Sequence, residues 1–511
     1  MYAVELRNVT KRFGVTVAND AVTFQVKKGE IHSLLGENGA GKTTLMKIIY
    51  GMHNPDEGEI WINGSQVNYD HFNPSIAINK GIAMVHQHFM LVDTMTVTEN
   101  VVLGYEAKKG LFFDKQKSVN EVARISDKYG LKVDPRAIVE DLPVGTKQRI
   151  EILKALYRDA DILILDEPTA VLTPLEVEDL FRVLVELKNA GKSIIIITHK
   201  LKETMAIADR TTILRNGETI ETLDTKTSTT EQLAELMVGR KVSFDAPATV
   251  DTKKEKLLEI NDLTVRNGRV PVIDGLNLSL FGGEILGIAG VEGNGQSELI
   301  EVLTGLLSPN EGKVIFKEKE IQNLSPIQVI NAGIGHIPED RTKSGLINDF
   351  SIKDNLILGY HNKPMFQKNK VFNTKKITEH GEMIRTNYQV KSSNTDMPVS
   401  ALSGGNQQKI VIGRVLSQDP DVIIAAQPTR GVDIGAIEYI HQQLFEMRNK
   451  GKAVLLISAE LDEIRKLSDN IAVIYEGKIV AYDRAENFSE YELGSLMTGG
   501  TKKKEVETGR D

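Results

Sequence analysis

The residues best suited to chemistry form a glycine-rich segment, Gly36-Glu37-Asn38-Gly39-Ala40-Gly41-Lys42-Thr43-Thr44, with the spacing G-x-x-x-x-G-K-T. Glycines let backbone N–H groups approach phosphate oxygens closely, and a helix N-terminus adds partial positive charge. In this pattern Lys42 would reach the β- and γ-phosphates of a nucleotide, and the Thr43 hydroxyl would ligate Mg²⁺. The segment therefore predicts a nucleoside triphosphate site. The alternative is a structural glycine-rich turn.

A second candidate is a pair of carboxylates, Asp166 and Glu167, at the end of a fully apolar run, 162–165. A parallel strand buried on both faces has this composition. Asp166 would hold Mg²⁺ through water, and Glu167 would orient or deprotonate an attacking water. The alternative is a strand-end charge pair that faces solvent.

Three single residues carry weaker signals. Phe13, in a short turn after the first predicted strand, could stack on an adenine ring or simply pack. Gln87 follows an apolar run and could reach the metal or the attacking water. His199 ends another apolar run and could hydrogen-bond a γ-phosphate, although a structural role would also explain it.

The elements that must position these residues follow from the sequence pattern. Short apolar runs such as 31–35 and 194–197 alternate with amphipathic stretches such as 147–157, which predicts parallel α/β architecture. The pattern occurs twice, because Gly36 matches Gly290 and Lys42 matches Gln296. We expect two domains, 1–240 and 257–500, with a polar linker at 241–256 and a charged, frayed tail at 501–511.

Composition narrows the class of protein. The 511 residues carry a formal net charge of −8, which argues against a broad nucleic-acid surface. The chain has no cysteine, so disulfides, thiolate metal sites and cysteine nucleophiles are excluded. The longest apolar runs are far shorter than the roughly 18 residues that span a bilayer, and the N-terminus does not resemble a signal peptide. At a membrane, such a chain would dock on another protein.

The order of these motifs resembles that of the ATP-binding subunits of ABC transporters, twice over nearly the whole chain. The resemblance implies two tandem P-loop ABC ATPase domains, each with a mixed β core and a helical signature subdomain, paired head to tail about a pseudo-two-fold axis. One domain's glycine loop and the other's L-S-G-G-Q-like signature would hold each ATP. The resemblance implies adenine stacking for Phe13 and metal ligation for Thr43, Gln87 and Asp166. It implies catalysis by Glu167, His199 and Gln87. The residues that it places in contact with ATP are Gly36, Glu37, Asn38, Gly39, Ala40, Gly41, Lys42, Thr43, Thr44, Ser403, Gly404, Gly405 and Asn406.

The two copies depart from the family pattern in opposite ways. The second copy has Gln296 in place of the lysine and lacks the other chemical groups, with Asn267, Glu339, Ala426, Gln427 and Ala459 at the corresponding positions. Its signature, Leu402-Ser403-Gly404-Gly405-Asn406-Gln407, is nevertheless good. In the first copy the signature reads Leu142-Pro143-Val144-Gly145-Thr146, in which proline lacks the hydroxyl and the N–H of serine. Head-to-tail pairing would therefore give one complete hydrolytic site and one degenerate site.

Within the family the chain looks most like the ATPase subunits of nucleoside importers. The resemblance implies ATP and Mg²⁺ as ligands, two non-identical integral membrane permeases, a substrate-binding lipoprotein, no nucleic acid, and a peripheral location on the cytoplasmic face of the membrane. Thr96-Val97-Thr98-Glu99-Asn100 recurs as Ser351-Ile352-Lys353-Asp354-Asn355, in a region that the family places beside the permease-docking groove. The alternatives are a sugar importer ATPase, a soluble tandem ATPase of translation, and a DNA-repair or chromosome-organising ATPase.

Overall fold

The computed structural model describes residues 1–14, 16–86, 89–109, 112–169, 172, 174–241, 255–268, 270–291 and 293–500, without the side chains of Pro174 and Leu175. The chain divides into two compact units, Met1–Val242 and Ser243–Asp511. Most of the predicted linker and all of the predicted tail lie outside the described residues. Within the described part, no helix combines the length and the apolar character needed to cross a membrane.

The first unit alternates strands and helices along the chain. Its strands are β1 (Tyr2–Phe13), β2 (Thr16–Lys27), β3 (Ile31–Leu35), β4 (Glu57–Ile62), β5 (Ser65–Gln66), β6 (Ile82–Val85), β7 (Lys108–Lys109), β8 (Phe112–Phe113), β9 (Ile162–Asp166), β10 (Ser193–Thr198), β11 (Arg210–Arg215) and β12 (Glu218–Asp224). Its helices are α1 (Lys42–Ile49), α2 (Pro74–Asn79), α3 (Val97–Val102), α4 (Lys115–Lys128), α5 (Val144–Tyr157), α6 (Pro174–Asn189), α7 (Leu201–Ile207) and α8 (Thr230–Val238).

Two sheets form the β core of this unit. An antiparallel sheet has the order β2-β1-β4-β5, and a six-stranded sheet has the order β12-β11-β3-β10-β9-β6. In the larger sheet β11, β3, β10, β9 and β6 are parallel, and β12 closes one edge antiparallel to β11. Because β3, β10 and β9 are neighbours and run the same way, their carboxyl ends meet at one edge. The residues that follow these three strands are Gly36, His199 and Glu167.

The large sheet of the first unit is buried on both faces. One face packs with the antiparallel sheet and α1, through residues such as Leu34, Ile164 and Leu45. The opposite face packs against α3 to α6, through residues such as Leu165 and Ile150. Strands β3, β9 and β10 are buried along their whole length, which confirms the burial predicted for β9 and β10 from their apolar runs.

The second unit has the same sequence of elements. Its strands are β13 (Lys256–Asn267), β14 (Val270–Phe281), β15 (Glu284–Ala289), β16 (Glu311–Phe316), β17 (Lys319–Glu320), β18 (Ile334–Ile337), β19 (Gln367–Lys368), β20 (Val371–Phe372), β21 (Val422–Ala426), β22 (Ala453–Ile457), β23 (Asn470–Tyr475) and β24 (Lys478–Arg484). Its helices are α9 (Gln296–Leu303), α10 (Pro326–Ala332), α11 (Ile352–Leu356), α12 (Thr374–Asn387), α13 (Gly404–Leu416), α14 (Ile434–Asn449), α15 (Leu461–Leu467) and α16 (Glu490–Met497).

The sheets of the second unit repeat those of the first. The antiparallel sheet has the order β14-β13-β16-β17, and the six-stranded sheet has the order β18-β21-β22-β15-β23-β24. The strand order matches position by position, so β21, β22 and β15 take the places of β9, β10 and β3. A π-helical turn, Arg341–Gly345, follows β18. The predicted mixed α/β fold, present twice, is confirmed.

Two local predictions need correction. The helix expected at 147–157 begins three residues earlier, at Val144, and its N-cap residue is Pro143. Phe13 is the last residue of β1 rather than part of the turn after it. Both errors arise at element ends, where backbone hydrogen bonding decides the boundary and side-chain pattern is a poor guide.

Candidate functional site

The glycine loop of the first unit connects β3 to α1 and brings the backbone close to a neighbouring strand. Gly41 has φ of 97° and directly precedes α1. A Cβ atom there would lie 2.3 Å from the carbonyl oxygen of Ala18 in β2. Only glycine combines this backbone conformation with so close a neighbour. The loop therefore ends at the N-terminus of α1, where backbone N–H groups can receive an anion.

Lys42 points back into this loop. Its Nζ donates to the carbonyl oxygens of Gly36 at 2.6 Å and Glu37 at 2.9 Å. The residue is buried, and burial lowers the pKa of its ammonium group, whereas Glu167 and Asp166 act to raise the pKa. The loop carbonyls thus hold a cation beside two carboxylates, in the place where phosphate oxygens would take over as its partners.

Asp166 ends β9 as a buried carboxylate. Burial and, to a smaller extent, the charge of Glu167 raise its pKa to about 6, although Lys42 acts to lower it. A buried carboxylate and a hydroxyl such as that of Thr43, in the first turn of α1, offer the oxygen atoms that suit Mg²⁺, a hard cation. Among the described residues no group of three or more His, Cys, Asp or Glu side chains could hold a metal alone. Phosphate and water oxygens would complete the coordination. Gln87, the other predicted ligand, lies outside the described residues.

Glu167 is fixed at both its backbone and its side chain. Its φ is 47°, and its backbone N–H donates to the carbonyl oxygen of Ile197 in β10 at 2.9 Å. Its carboxylate lies 3.0 Å from Nδ1 of His199, and this hydrogen bond is the main cause of its lowered pKa. Glu167 is therefore ionised at neutral pH. An ionised, oriented carboxylate is suited to hold a water molecule and accept its proton.

Phe13 lies outside the core. The residue is 46% exposed, and its ring contacts His53 edge-on at a centroid distance of 5.4 Å. Lys11 Nζ lies 5.5 Å from the same ring. In a nucleotide complex, the exposed face of the Phe13 ring could stack on a planar base. Sequence reasoning left packing and stacking open, and the exposure of the ring favours stacking.

The corresponding loop of the second unit ends in a glycine of the same conformation but differs in chemistry. Gly295 precedes α9 with φ of 102°, as Gly41 precedes α1. Gln296, which starts α9, carries no charge. Asn294 stands where the first unit has Ala40. Its Oδ1 accepts a hydrogen bond from the N–H of Glu476 at 3.0 Å, and its Nδ2 donates to the carbonyl oxygen of Met497 at 3.3 Å. These bonds attach the loop to the β23–β24 turn and to the end of α16.

Gln427 takes the place of Glu167. Its φ is 44°, and its backbone N–H donates to the carbonyl oxygen of Ile457 at 2.7 Å. Its Oε1 accepts a hydrogen bond from the backbone N–H of Ala459 at 3.1 Å. An amide cannot serve as the base for an attacking water, so this side chain joins two strand ends instead.

The signature of the second unit starts a long helix. Ser403 is exposed and is the N-cap residue of α13, followed by Gly404 and Gly405 in its first turn. Asn406 Nδ2 donates to Ser403 Oγ at 2.9 Å, and its Oδ1 accepts from the N–H of Lys391 at 2.8 Å. The start of α13 therefore presents a hydroxyl and free helical N–H groups, the combination that binds anions.

The first unit lacks this arrangement at α5. Pro143 caps the helix without a side-chain hydrogen bond, and Val144 is 40% exposed beside it. Proline has neither a hydroxyl nor an N–H, and a branched side chain blocks close approach by phosphate. The degenerate sequence thus corresponds to a helix end with less capacity to bind an anion.

The fold brings the predicted chemical groups of the first unit together. Lys42, Asp166, Glu167 and His199 meet at the carboxyl edge of the first unit's parallel sheet. The signature residues, Ser403 to Asn406, belong to the second unit and form a group of their own.

Sequence reasoning noticed the repeated segment that contains Asn100 and Asn355 but missed what these residues do. Asn100 accepts from the N–H of Val92 at 2.7 Å and donates to its carbonyl oxygen at 3.0 Å. Asn355 makes the same pair of bonds with Ile347, at 2.8 and 3.0 Å. The sequence signal that could have found them is an Asn at the same position of both copies.

Comparison with known proteins agrees with this geometry. The family model described as "ABC transporter" matches residues 19–170 and again 273–430. The chain is 48% identical to the nucleoside import ATP-binding protein NupA of Lactococcus lactis subsp. cremoris, over 97% of this chain and 98% of that protein. It is 50% identical to the guanosine import ATP-binding protein NupO of Bacillus subtilis, over 98% of each.

More distant proteins share the whole length. The glucose import ATP-binding protein TsgD13 of Haloferax volcanii is 41% identical, over 97% of this chain and 96% of that protein. Among solved structures, one titled RNase-L Inhibitor superposes with a TM-score of 0.61 at 18% identity, covering 93% of this chain and 89% of that one. At that identity the likeness shows the fold alone.

Proposed function

The chain belongs to the ABC transporter family, and from this premise we propose that it is the ATP-hydrolysing subunit of an importer for nucleosides. The observation that carries the ATPase assignment is the constellation at the edge of the first unit's sheet. There an ionised Glu167, held by His199, lies beside the buried pair of Lys42 and Asp166. The nucleoside assignment is supported by the full-length similarity to NupA and NupO.

In the proposed mechanism each residue of the first unit has one task. Lys42 exchanges its loop carbonyls for the β- and γ-phosphate oxygens, and Phe13 stacks on the base. Thr43, Asp166 and Gln87 would hold Mg²⁺, which neutralises phosphate charge when bound. Glu167 orients the attacking water and accepts its proton, while His199 fixes the carboxylate and contacts the γ-phosphate.

We assign the second unit the role of completing this site. Its Ser403, Gly404, Gly405 and Asn406 would contact the same ATP from the opposite side, in a head-to-tail pairing of two domains, 1–240 and 257–500, joined by a linker at 241–256. Support comes from complementary loss, since each unit retains the half-site that the other lacks. ATP would favour the closed pair because only the closed form makes both sets of contacts.

The proposed partners are two integral membrane permeases, which need not be identical, and a substrate-binding lipoprotein. The chain itself would lie at the cytoplasmic face of the membrane and follow the permeases as the ATP site closes and opens. The names of NupA and NupO as import proteins support this placement. The repeated segments around Asn100 and Asn355 are candidates for the docking surface, because both units preserve them while their ATP chemistry differs.

The test is transport by the assembled complex. The full chain would be purified from membranes with its integral partners, reconstituted in vesicles, and assayed for ATP-dependent uptake of radiolabelled guanosine, with Lys42→Ala as the inactive control. We expect uptake that unlabelled nucleosides suppress and that the variant lacks. Uptake suppressed by glucose or ribose but not by nucleosides would favour the sugar importer, which the similarity to TsgD13 keeps as the second candidate.

A further inference from the structure

Arg341 lies at the junction between the start of α13 and two loops of the second unit. It opens the π-helical turn that follows β18. Its guanidinium donates to the carbonyl oxygens of Arg430 at 2.9 Å and Gly431 at 3.3 Å, both in the loop after β21. It also donates to Oε1 of Gln407 in α13 at 3.4 Å. One side chain thus joins three segments that are far apart in sequence.

The guanidinium also lies against the signature itself. A Cβ atom on Gly404 would lie only 2.5 Å from an Nη atom of Arg341, so this glycine leaves the space that the arginine occupies. Within the described part of the chain, no carboxylate pairs with this guanidinium. The planar fork therefore keeps its charge at the N-terminus of a 13-residue helix, where the helix dipole already favours an anion.

The first unit supplies a natural comparison. Strands β6 and β18 occupy the same place in their sheets, and the fourth residue after each strand is Phe89 in the first unit and Arg341 in the second. The arginine occurs beside the intact signature, and phenylalanine occurs beside the degenerate one. A role in general folding would be needed equally in both units, whereas a role in the signature is needed only in the second.

We propose that Arg341 is a positioning residue for the ATPase reaction: it holds the signature at Gly404 and Gln407 and the loop at Gly431 in the arrangement that receives the γ-phosphate. The proposal rests on the composite site described above. Arg341 does not enter the reaction itself. It acts by fixing Gly404 and by adding positive charge at the helix end that receives the phosphate.

The experiment uses the full chain in its permease complex and measures KM and kcat for ATP, together with the affinity for ADP. We expect Arg341→Ala to raise the KM for ATP about tenfold and to lower kcat. The variant loses the charged hydrogen bonds that hold the signature and the loop after β21 in place to receive the γ-phosphate. The affinity for ADP should stay at the wild-type value, because ADP lacks the γ-phosphate and needs only the Lys42 loop. A loss of folding would lower ADP binding as well.

Three further variants sharpen the result. Lys343→Ala removes an equal charge from an exposed position of the same turn and should leave both constants unchanged. Arg341→Lys should restore activity only in part, because an ammonium group lacks the fork that reaches Gln407 and two carbonyls together. Arg341→Phe, which copies the first unit, should resemble Arg341→Ala and serves as the test if the alanine variant does not fold.

Lys42→Ala separates this proposal from the proposed function. Loss of hydrolysis in Lys42→Ala with wild-type KM and kcat in Arg341→Ala would overturn the role of Arg341 alone. Hydrolysis that survives Lys42→Ala would overturn the composite site and with it this inference. Full recovery of KM and kcat by Arg341→Lys would also contradict the positioning role, because charge alone would then suffice.

Discussion

The two units differ in chemistry far more than in backbone, and the strand ends at Glu167 and Gln427 show this most clearly. Both residues have positive φ, 47° and 44°, and both donate a backbone hydrogen bond to the neighbouring parallel strand. This conformation is unfavourable for residues other than glycine, and such strain is often attributed to catalysis. Here it persists where the carboxylate is gone. The turn after the strand therefore requires this conformation whether or not a carboxylate is present.

The same comparison separates two uses of a side chain. Glu167 turns to His199 and remains an ionised group, whereas Gln427 bonds the backbone of Ala459 and closes the gap between strands. The side chain of Asn294 likewise adds two hydrogen bonds to neighbouring backbone, which the alanine side chain at position 40 cannot make. Gln427 and Asn294 thus both bond neighbouring backbone in the second unit, and Gln427 does so where the first unit has an ionised carboxylate.

The largest effect should come from exchanging the base. Glu167→Gln gives the first unit the side chain of the second, and removal of such a transition-state group lowers rates by roughly 10²–10³. We expect ATPase activity, measured as phosphate release by the complex, to fall by that factor. Gln427→Ala is the matched control and should change the rate little. Substantial hydrolysis by Glu167→Gln would break the asymmetry between the units.

The next effect concerns the phosphate loops. Lys42→Ala should weaken ATP binding roughly tenfold to a hundredfold, because hydrogen bonds to charged groups contribute about 1.5–3 kcal/mol. Gln296→Ala should leave the affinity of the hydrolytic site unchanged. Equilibrium binding of a fluorescent ATP analogue to the full chain measures both variants. Equal losses of ATP affinity in the two variants would show that both loops contribute equally to ATP binding, contrary to this prediction.

A third test probes a feature in which the units agree. Asn100→Ala and Asn355→Ala each remove a buried side chain that hydrogen-bonds the preceding loop, so each should lower the free energy of unfolding by about 2 kcal/mol. Chemical denaturation of the full chain, followed unit by unit with hydrogen exchange, gives the comparison. A large loss in only one unit would mean that the repeated geometry is energetically unequal.

The smallest effect concerns pH. His336 in β18 takes the place of Met84 in β6, and burial lowers the pKa of His336 to about 4 from an ordinary 6.5. Between these values the unfolded chain binds more protons than the folded chain, so the stability of the second unit falls as pH decreases. His336→Met should reduce this decline by roughly 1–2 kcal/mol at pH 5. Denaturation curves at pH 7 and pH 5 measure it, and an unchanged pH dependence would contradict the prediction.

Particular residues show how far sequence reasoning reached. The apolar runs before Glu167 and His199 predicted two buried strands, because complete burial in a parallel sheet requires such composition. Phe13 was placed in a turn and lies at the end of a strand, because the extent of a hairpin depends on pairing with a partner strand. The contacts of Arg341 were not predicted, since nothing near it in sequence indicates that it meets Gly404, Gln407 and Gly431.

What the sequence determined by itself is the inventory: two repeated α/β units, one with phosphate-binding and catalytic groups and the other with an intact signature. Motif spacing suffices for that, because these loops and strand ends are built from consecutive residues. Only the tertiary structure decided the partners of each group, such as the bond between His199 and Glu167, the loop carbonyls around Lys42 and the contacts of Arg341. These depend on which strands and loops become neighbours, and neighbours in space are set by packing across the whole core.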